Sequence, residues 1–367
     1  MTIETSLTPR RHPYLALAST LLWALVIAPQ VASVIAGETA TPAAAPRTRN
    51  VVILVIDGPR MSETWSDPAR ALIPRMAKDL APQGVLYTDF RNDGMTTTEP
   101  GHTAMVTGVY EVKDNRGKEL PKKESIFQRF RASWDLPASA AWVIASKDKL
   151  WTLSDTSQAQ WTGRWRPSID CGKGGLGGKE GPAKRVGYRS DAETFARVRD
   201  ILAKDHPRLV LVNLLGPDSA GHKNDWDGYR KAISACDGFA ADLWNLLQAD
   251  PVYRDATALL ITNDHGRHLD GVANGFVDHG CECEGCRSIS CLALGPDFKR
   301  GVPGGRRRGL VDVSATTAAI LGFSLPAGKG EVMTELFLGD RLPAYAVAPA
   351  AEPAKAEPLS TEPAYAP

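Results

Sequence analysis

The stretch Val51-Val-Ile-Leu-Val-Ile56 is an unbroken apolar run, and a carboxylate, Asp57, follows it at once. Two later stretches share this design: the run at residues 209–215 precedes Asp218, and the run at residues 258–261 precedes Asp264. Continuous apolar runs of this length are typical of strands that are buried on both faces of a parallel sheet. Because ligands bind such sheets beyond the carboxyl ends of the strands, the three carboxylates are predicted to share one edge.

Helical patterns alternate with these strands and with a fourth apolar run at residues 289–294. Apolar residues recur at helical spacing from Tyr229 to Leu247, which predicts an amphipathic helix that starts near Asp227 and ends before Pro251. Further helices are predicted at residues 125–133, 191–204 and 312–321. The alternation predicts an α/β fold with a mostly parallel central sheet, helices on both faces, and small cap or loop insertions.

The composition of the chain bounds its class and its partners. The 367 residues include 43 Lys and Arg against 42 Asp and Glu, so no basic footprint points to nucleic acid. Residues 50–340 are predicted to form one large domain, although the length of the chain would also allow two small ones. Residues 37–49 are rich in Ala, Pro and Thr and are predicted to be a linker, and the Ala/Pro-rich residues 341–367 are predicted to be a disordered tail.

The N-terminus has the pattern of a signal peptide at residues 1–36. Arg10 and Arg11 precede a long apolar run, and Val34-Ile35-Ala36 fits the small-residue rule for cleavage. The chain is therefore predicted to be periplasmic or secreted. The alternative is an uncleaved membrane anchor, because the run is nearly long enough to span a bilayer.

Six cysteines in an exported protein are most simply paired in disulfides. Four of them, Cys281, Cys283, Cys286 and Cys291, crowd into one short segment. A structural zinc site on this segment is the alternative, although the spacing lacks the two separated pairs of a zinc ribbon.

Carboxylates and histidines follow the predicted strands in pairs. The pairs are Asp218-Ser-Ala-Gly-His222, Asp264-His265 and Asp278-His279. A lone Asp after a strand is more often a helix cap, but the repeated pairing favours metal ligands. Carboxylate and imidazole together suit zinc, with Mg²⁺ or another divalent ion as the alternative, and the number of ligands suffices for two ions that clamp a phosphoryl displacement.

The stretch Thr96-Thr-Thr-Glu-Pro-Gly-His-Thr-Ala-Met-Val-Thr-Gly108 brings three hydroxyls to a predicted helix start. Unpaired backbone N–H groups and the helix dipole make such a start a place for phosphate. The plainer interpretation is a helix cap rich in Ser and Thr.

Taken together, Asp57, Thr98-Glu-Pro-Gly-His102, Asp218-Ser-Ala-Gly-His222, Asp264-His-Gly266 and His279-Gly280 resemble the motifs of the alkaline phosphatase superfamily. The most similar branch is the one of nucleotide pyrophosphatases/phosphodiesterases and bacterial phosphatases with a Thr nucleophile. The resemblance covers roughly residues 50–336.

The resemblance implies a role for each matching residue. One zinc would be held by Asp218, His222 and His279. The second would be held by Asp57, Asp264, His265 and the hydroxyl of Thr98. Thr98 would be the nucleophile, because the family places it two residues before the Pro of the turn, and Thr96 and Thr97 would be spectators. Zinc would make the Thr98 alkoxide accessible near neutral pH, and water would then cleave the phosphothreonine.

Two further matches concern the substrate, which is predicted to be a small-molecule phosphate ester. Asn115 resembles the Asn that hydrogen-bonds a non-bridging phosphate oxygen in this branch. Ser146-Lys147-Asp148-Lys149 resembles a Lys-Asp-Arg segment that contacts the phosphate, with Lys149 in place of the planar Arg fork. A monoester has an extra negative oxygen that needs a cation, so Lys147 and Lys149 favour a phosphomonoesterase over a phosphodiesterase or nucleotide pyrophosphatase. The alternative for both lysines is a solvated turn.

Other functions and other roles are weaker interpretations of the same residues. A sulfatase shares the fold, but its nucleophile lies in a Cys/Ser-x-Pro-x-Arg motif that Thr98-Glu-Pro-Gly-His102 does not match. A non-catalytic metal-binding protein would not need a nucleophile. His102 and His268 are predicted to donate or accept hydrogen bonds rather than to bind metal.

Overall fold

Strand β1 (Asn50–Ile56), which contains the apolar run that precedes Asp57, lies in the middle of the sheet in the computed structural model. The structure describes residues 46–173, 186–339 and 341–343. The predicted signal peptide, most of the predicted linker and nearly all of the predicted tail lie outside these residues. Among the described residues, no helix is both long enough and apolar enough to cross a membrane.

The described part of the chain forms one sheet of nine strands in the order β4-β3-β5-β1-β6-β7-β2-β8, with β9 also paired to β2. The strands after β1 are β2 (Gly84–Arg91), β3 (Ala141–Ala145), β4 (Ser168–Cys171), β5 (Leu209–Leu214), β6 (Thr257–Thr262), β7 (Ser288–Leu294), β8 (Val302–Pro303) and β9 (Arg308–Gly309). Strands β4, β3, β5, β1 and β6 run parallel to one another, and β7 is antiparallel to both β6 and β2. The predicted mostly parallel sheet is confirmed.

Helices cover both faces of this sheet. They are α1 (Thr98–Thr107), α2 (Ile126–Trp134), α3 (Asp191–Asp205), α4 (Gly216–His222), α5 (Trp226–Ala249), α6 (Glu284–Arg287) and α7 (Leu310–Leu321). Alternate residues of β1 point to opposite faces. Val51, Ile53 and Val55 pack with α1, α2 and α7, and the residues between them pack with α3 and α5. The predicted α/β architecture is confirmed.

The predicted helices and strands lie within a few residues of those observed, and local sequence explains several boundaries. Helix α3 begins with a capping box in which Ser190 and Glu193 exchange hydrogen bonds with each other's backbone. Strand β4 forms within the segment 163–187, which is rich in Gly, Lys and Arg, and it extends the sheet by pairing with β3.

The cysteines differ from the expectation of disulfides, because all six are free thiols in the structure. Cys171 and Cys291 are enclosed in the core on one face of the sheet, and Cys236 is enclosed on the other face. The Sγ atoms of Cys281 and Cys286 are 3.8 Å apart, well beyond the bond length of about 2.0 Å in a disulfide.

Candidate active site and metal centre

Three adjacent parallel strands, β5, β1 and β6, end at one edge of the sheet, and the predicted carboxylates lie there. Asp57 directly follows β1, Asp264 comes two residues after β6, and Asp218 lies in α4, which follows β5. We call the group that gathers at this edge the sheet-edge cluster. It consists of Asp57, Thr98, Asp218, His222, Asp264, His265 and His279.

One half of the sheet-edge cluster is buried and lacks partners. Asp57, Asp264 and His265 are all fully buried, and their ligand atoms lie within 4.8 Å of one another. His265 Nε2 is 3.5 Å from Asp57 Oδ1 and 3.4 Å from Asp264 Oδ2. None of these three atoms has a hydrogen-bond partner. Because orphaned buried polar atoms are rare and costly, this donor set fits a divalent cation.

The other half of the cluster brings together Asp218, His222 and His279. Asp218 Oδ1 lies 3.3 Å from His222 Nε2 and 3.2 Å from His279 Nε2, and the two ring nitrogens are 3.1 Å apart. The three residues thus meet as a one-carboxylate, two-imidazole set, which is a donor combination that zinc accepts. His222 is the most exposed of the three, so this half faces solvent.

Burial and neighbouring charges shift the protonation of this cluster. Burial and the nearby Asp264 raise the pKa of Asp57 to about 6. Burial opposes the ionisation of Asp264, but the adjacent His265 lowers the pKa of its carboxyl below the usual range. Burial also opposes the ionisation of Asp218, but Lys147 lowers the pKa of that carboxyl below the usual range. Burial lowers the pKa of His265 to about 3, so its ring is neutral and able to bind a cation.

Lys147 lies between the two halves. Its Nζ donates to Thr98 Oγ1 at 2.9 Å and to Asp218 Oδ2 at 2.6 Å, and it is 2.8 Å from Asp57 Oδ2. Burial disfavours the ammonium, but the two carboxylates outweigh that effect and raise the pKa of Lys147. Lys147 is therefore a fixed positive charge beside the Thr98 hydroxyl.

Thr98 is the first residue of α1 and is buried. The helix start lies close to the Asp264 segment, because a Cβ on Gly101 would lie 2.6 Å from Asp264 O. The neighbouring hydroxyls are placed differently: Thr96 Oγ1 donates to Cys281 O at 2.8 Å, and Thr97 Oγ1 has no partner. Of these three hydroxyls, the structure thus places that of Thr98 against Lys147.

Asn115 and Lys149 meet near the start of α1. Asn115 Oδ1 accepts from the backbone N–H of Glu99 at 2.9 Å and from Lys149 Nζ at 2.8 Å. The Glu99 carboxylate in turn accepts from Lys113 Nζ at 3.2 Å and from Gly117 N at 2.6 Å, which fixes the loop that carries Asn115. Burial and the nearby Lys147 lower the pKa of Lys149 to about 8.

His102 and His268 make the hydrogen bonds expected of them. His102 Nδ1 is 2.8 Å from Thr98 O and 3.4 Å from Asp264 Oδ2, and His268 Nδ1 is 3.1 Å from Asn274 Oδ1. However, His268 also lies among three cysteines, in a group that the sequence pattern did not identify.

Sequence reasoning missed two residues of this site, Asn213 and Arg267. Asn213 donates to Asp57 Oδ2 at 3.0 Å, and its signal was the single polar residue in an apolar strand. Asp278, which the sequence pattern paired with His279, has its Oδ1 3.7 Å from His222 Nδ1. Arg267 is fully buried and donates to Asp218 Oδ1 at 2.5 Å and to Val277 O at 2.8 Å. No local pattern distinguishes Arg267 from a surface arginine.

The chain is similar in sequence to one described family and to several phosphopentomutases. Residues 178–325 match a family described as the metalloenzyme superfamily. A phosphopentomutase of Methylobacterium sp. (strain 4-46) is 38% identical over 122 residues, which is 33% of this chain and 26% of that protein. Further relatives named phosphopentomutase are matched over 32–37% of their own length, so the chain spans only about a third of these proteins.

Solved structures cover more of the chain at lower identity. A sulfatase from Pseudoalteromonas sp. has a TM-score of 0.57 at 16% identity and covers 81% of this chain and 74% of its own. A protein in the alkaline phosphatase superfamily from Vibrio parahaemolyticus has a TM-score of 0.50 at 15% identity, with 77% and 68% covered.

The chain has the alkaline phosphatase superfamily fold. Murine ectonucleotide pyrophosphatase/phosphodiesterase 5 shares this superfamily fold with a TM-score of 0.53 at 14% identity, covering 77% of this chain and 97% of its own. The metalloenzyme match contains Asp218, His222, Asp264, His265 and His279, but it starts after Asp57 and Thr98. The family match therefore includes five of the candidate metal ligands, whereas Asp57 and the candidate nucleophile Thr98 lie outside it.

Proposed function

We propose that the chain is an exported phosphoric monoester hydrolase that uses two divalent ions, zinc in the first instance, and Thr98 as its nucleophile. The observation that carries the proposal is the position of Thr98 Oγ1, which is buried and 2.9 Å from Lys147 Nζ. Lys147 also contacts Asp57 and Asp218, one from each half of the sheet-edge cluster. The N-terminal signal pattern supports a periplasmic or secreted location.

The two halves of the sheet-edge cluster would hold the two ions. Asp57, Asp264, His265 and Thr98 would hold one, and Asp218, His222 and His279 would hold the other. When bound, these ions would neutralise charge on the phosphate and lower the pKa of the Thr98 hydroxyl and of the hydrolytic water.

Thr98 and the residues around it would carry out the bond-forming step and bind the phosphate. Thr98 Oγ would form a bond to phosphorus while the bond to the leaving alcohol oxygen breaks, and water would later release inorganic phosphate from the phosphothreonine. Lys147 would stabilise the charge on the phosphate oxygens. Since Asn115 Oδ1 already accepts two hydrogen bonds, its amide Nδ2 is the group that would donate to a non-bridging oxygen.

The preference for monoesters rests on charge. Lys147 and Lys149 bring two amino groups to one side of the site, and a monoester dianion needs more compensating charge than a diester monoanion. A phosphodiesterase is the second candidate, because Lys149 Nζ donates to both Asn115 O and Asn115 Oδ1 instead of to Thr98. In that case Lys147 would be the only one of the two lysines that binds the phosphate.

Turnover of nitrophenyl phosphate and of bis(nitrophenyl) phosphate by the zinc-loaded full chain tests this choice. We expect the monoester to have the higher kcat/KM and activity to disappear with a chelator and return with zinc. A diester preference of about a hundredfold, equal to roughly 2.7 kcal/mol, would overturn the monoesterase proposal. Activity that survives exhaustive chelation would overturn the metal-dependent mechanism.

A further inference from the structure

A second group of metal-ligating side chains lies beside the sheet-edge cluster and is distinct from it. His268, Cys281, Cys283 and Cys286 each offer one ligand atom, and the four atoms lie within 4.8 Å of one another. We call these residues the cysteine cluster. We propose that the cysteine cluster is a structural zinc site with three thiolate ligands and one imidazole ligand.

The sulfur spacing fits zinc. Cys281 Sγ and Cys286 Sγ are 3.8 Å apart. Two sulfurs on a tetrahedral zinc, each with a Zn–S bond of about 2.3 Å, are separated by about 3.8 Å. The same distance is too long for a disulfide bond of about 2.0 Å. The thiols are therefore spaced as ligands of a common ion.

His268 supplies the second, independent observation. Its side chain is buried, with 7% of the residue exposed, and Nε2 has no hydrogen-bond partner. Nδ1 lies 3.1 Å from Asn274 Oδ1. Histidines that bind metal commonly use one ring nitrogen for the ion and the other for such a hydrogen bond. A zinc ion at Nε2 would satisfy the orphaned atom.

Two glycines allow the segment of His268 to approach the cysteines. A Cβ on Gly266 would lie 2.0 Å from Gly285 O, and a Cβ on Gly285 would lie 2.4 Å from Arg267 O. Gly266 N donates to Cys286 O at 2.8 Å across the same contact. A side chain at either glycine would separate the two segments, so the local backbone is built for this close approach.

The cysteine cluster also braces a residue of the sheet-edge cluster. His279 Nδ1 is 2.7 Å from Thr96 O, and Thr96 Oγ1 donates to the carbonyl of Cys281 at 2.8 Å. His268 N donates to the carbonyl of Asp278, next to His279, at 3.2 Å. With four protein ligands the ion would have no open position for substrate, which is typical of a structural site. Its role would be to hold the loop that carries His279.

Cobalt substitution of the full chain tests the proposal. Thiolate ligands give Co²⁺ an intense near-ultraviolet sulfur-to-metal charge-transfer band, and the carboxylates and imidazoles of the sheet-edge cluster cannot produce it. We expect this band in the wild-type protein and one more equivalent of bound zinc than in the Cys283→Ser variant. The Cys281→Ser variant is a second test, because Cys281 is exposed and its replacement leaves the core intact.

The Cys291→Ala variant is the matched control, since Cys291 belongs to the same segment but is enclosed in the core on β7. It should keep both the cobalt band and the zinc content. Wild-type protein that lacks the band, or that shows a Cys281–Cys286 disulfide by thiol titration and peptide mass, would overturn the proposal. Neither result would by itself overturn the proposed phosphate ester hydrolysis, because its ligands are those of the sheet-edge cluster.

Discussion

The sheet-edge cluster and the cysteine cluster lie side by side but are positioned by different means. The first takes Asp57 and Asp264 from the ends of adjacent parallel strands, whose ladder hydrogen bonds fix the backbone. The second takes all four ligands from the connection between β6 and β7. Within the described residues of this connection, α6 is the only α-helix. A rigid sheet holds ligands in place before a metal arrives, whereas a loop relies on the metal to hold it. Removal of metal should therefore loosen the cysteine cluster first.

The largest expected effect separates chemistry from metal binding at the sheet edge. Thr98→Ala should lower kcat for a phosphate monoester by about 10³-fold or more, because the nucleophile is lost. The three other side chains of its metal half, those of Asp57, Asp264 and His265, remain, so the zinc content should stay unchanged. Steady-state kinetics and metal analysis of the same preparation check both parts.

Thr97→Ala is the matched control for that variant. The two hydroxyls are adjacent, but Thr98 contacts Lys147 whereas Thr97 Oγ1 has no partner. We expect Thr97→Ala to retain kcat within a few-fold. If Thr97→Ala is inactive and Thr98→Ala is not, the nucleophile is Thr97 and the assignment is wrong.

Arg267 lies in the sequence between ligands of the two clusters, and its replacement tests whether metal binding at one cluster depends on the other. It follows the sheet-edge ligand His265 by two residues, precedes His268 of the cysteine cluster, and donates to Asp218 Oδ1. Arg267→Met should weaken zinc binding at the sheet edge by about 10- to 100-fold, because an outer partner of a ligand is lost. Competition with a chelator of known affinity measures this.

The conservative variant Arg267→Lys keeps the charge without the planar fork and should lie between wild type and Arg267→Met. Thiolate-to-cobalt absorption, measured in parallel, reports on the cysteine cluster. An unchanged band with weakened sheet-edge binding would mean that the clusters are independent. Unchanged zinc affinity at the sheet edge would remove Arg267 as a positioning residue.

The contrast between the clusters also explains what could be predicted from sequence. Asp57, Asp218 and Asp264 follow apolar runs, so the strand pattern and the rule for parallel sheets together predicted that they meet. The structure brings them together, along with Thr98, Lys147, Asn115 and Lys149. The hydrophobic pattern likewise predicted the central strands and the long helix α5.

No comparable rule predicts which side chains meet within a loop. His268 joins Cys281, Cys283 and Cys286 because Gly266 and Gly285 let two segments approach, and neither spacing nor composition states that contact. Cysteine content and an exported compartment therefore predict disulfides, with a zinc site on the four clustered cysteines only as the alternative. Arg267 was missed for a related reason, because burial of a charged side chain depends on partners that are distant in sequence.

A smaller effect tests how closely α1 must pack against the Asp264 segment. Gly101→Ala would place a Cβ 2.6 Å from the backbone oxygen of Asp264. Because backbone must move, we expect a loss of about 1–3 kcal/mol in the free energy of unfolding. Thr98 lies on the same turn, so kcat should also fall, by about tenfold, since an error of about 1 Å costs up to ~10²-fold.

Gly238→Ala is the control for helix glycines, because nothing lies within 4 Å of the Cβ it would add to α5. It should raise the free energy of unfolding by up to about 1 kcal/mol and leave kcat unchanged. Chemical denaturation of both variants gives the comparison. A Gly101→Ala protein as stable and active as wild type would mean that the helix start is free to shift.

The smallest effect concerns Lys149 and its charge. The pKa of Lys149 is lowered to about 8 by burial and by the nearby Lys147. Lys149 is therefore charged below about pH 8 and neutral above it, so any attraction for a phosphate dianion is present below that pH and disappears as the pH rises through it. We expect KM for a monoester to rise across this range in the wild-type protein.

Lys149→Gln should raise KM for the monoester at pH 7 by about fivefold, equal to roughly 1 kcal/mol, and should abolish the rise of KM near pH 8. KM for a diester should change little, because a diester lacks the extra negative oxygen. Lys118→Gln, an exposed lysine three residues after Asn115, is the control and should leave both KM values unchanged. Lys149→Gln could instead raise KM equally for both substrates and leave the pH profile intact. In that case Lys149 acts by positioning Asn115, and Lys147 is the only lysine whose charge favours monoesters.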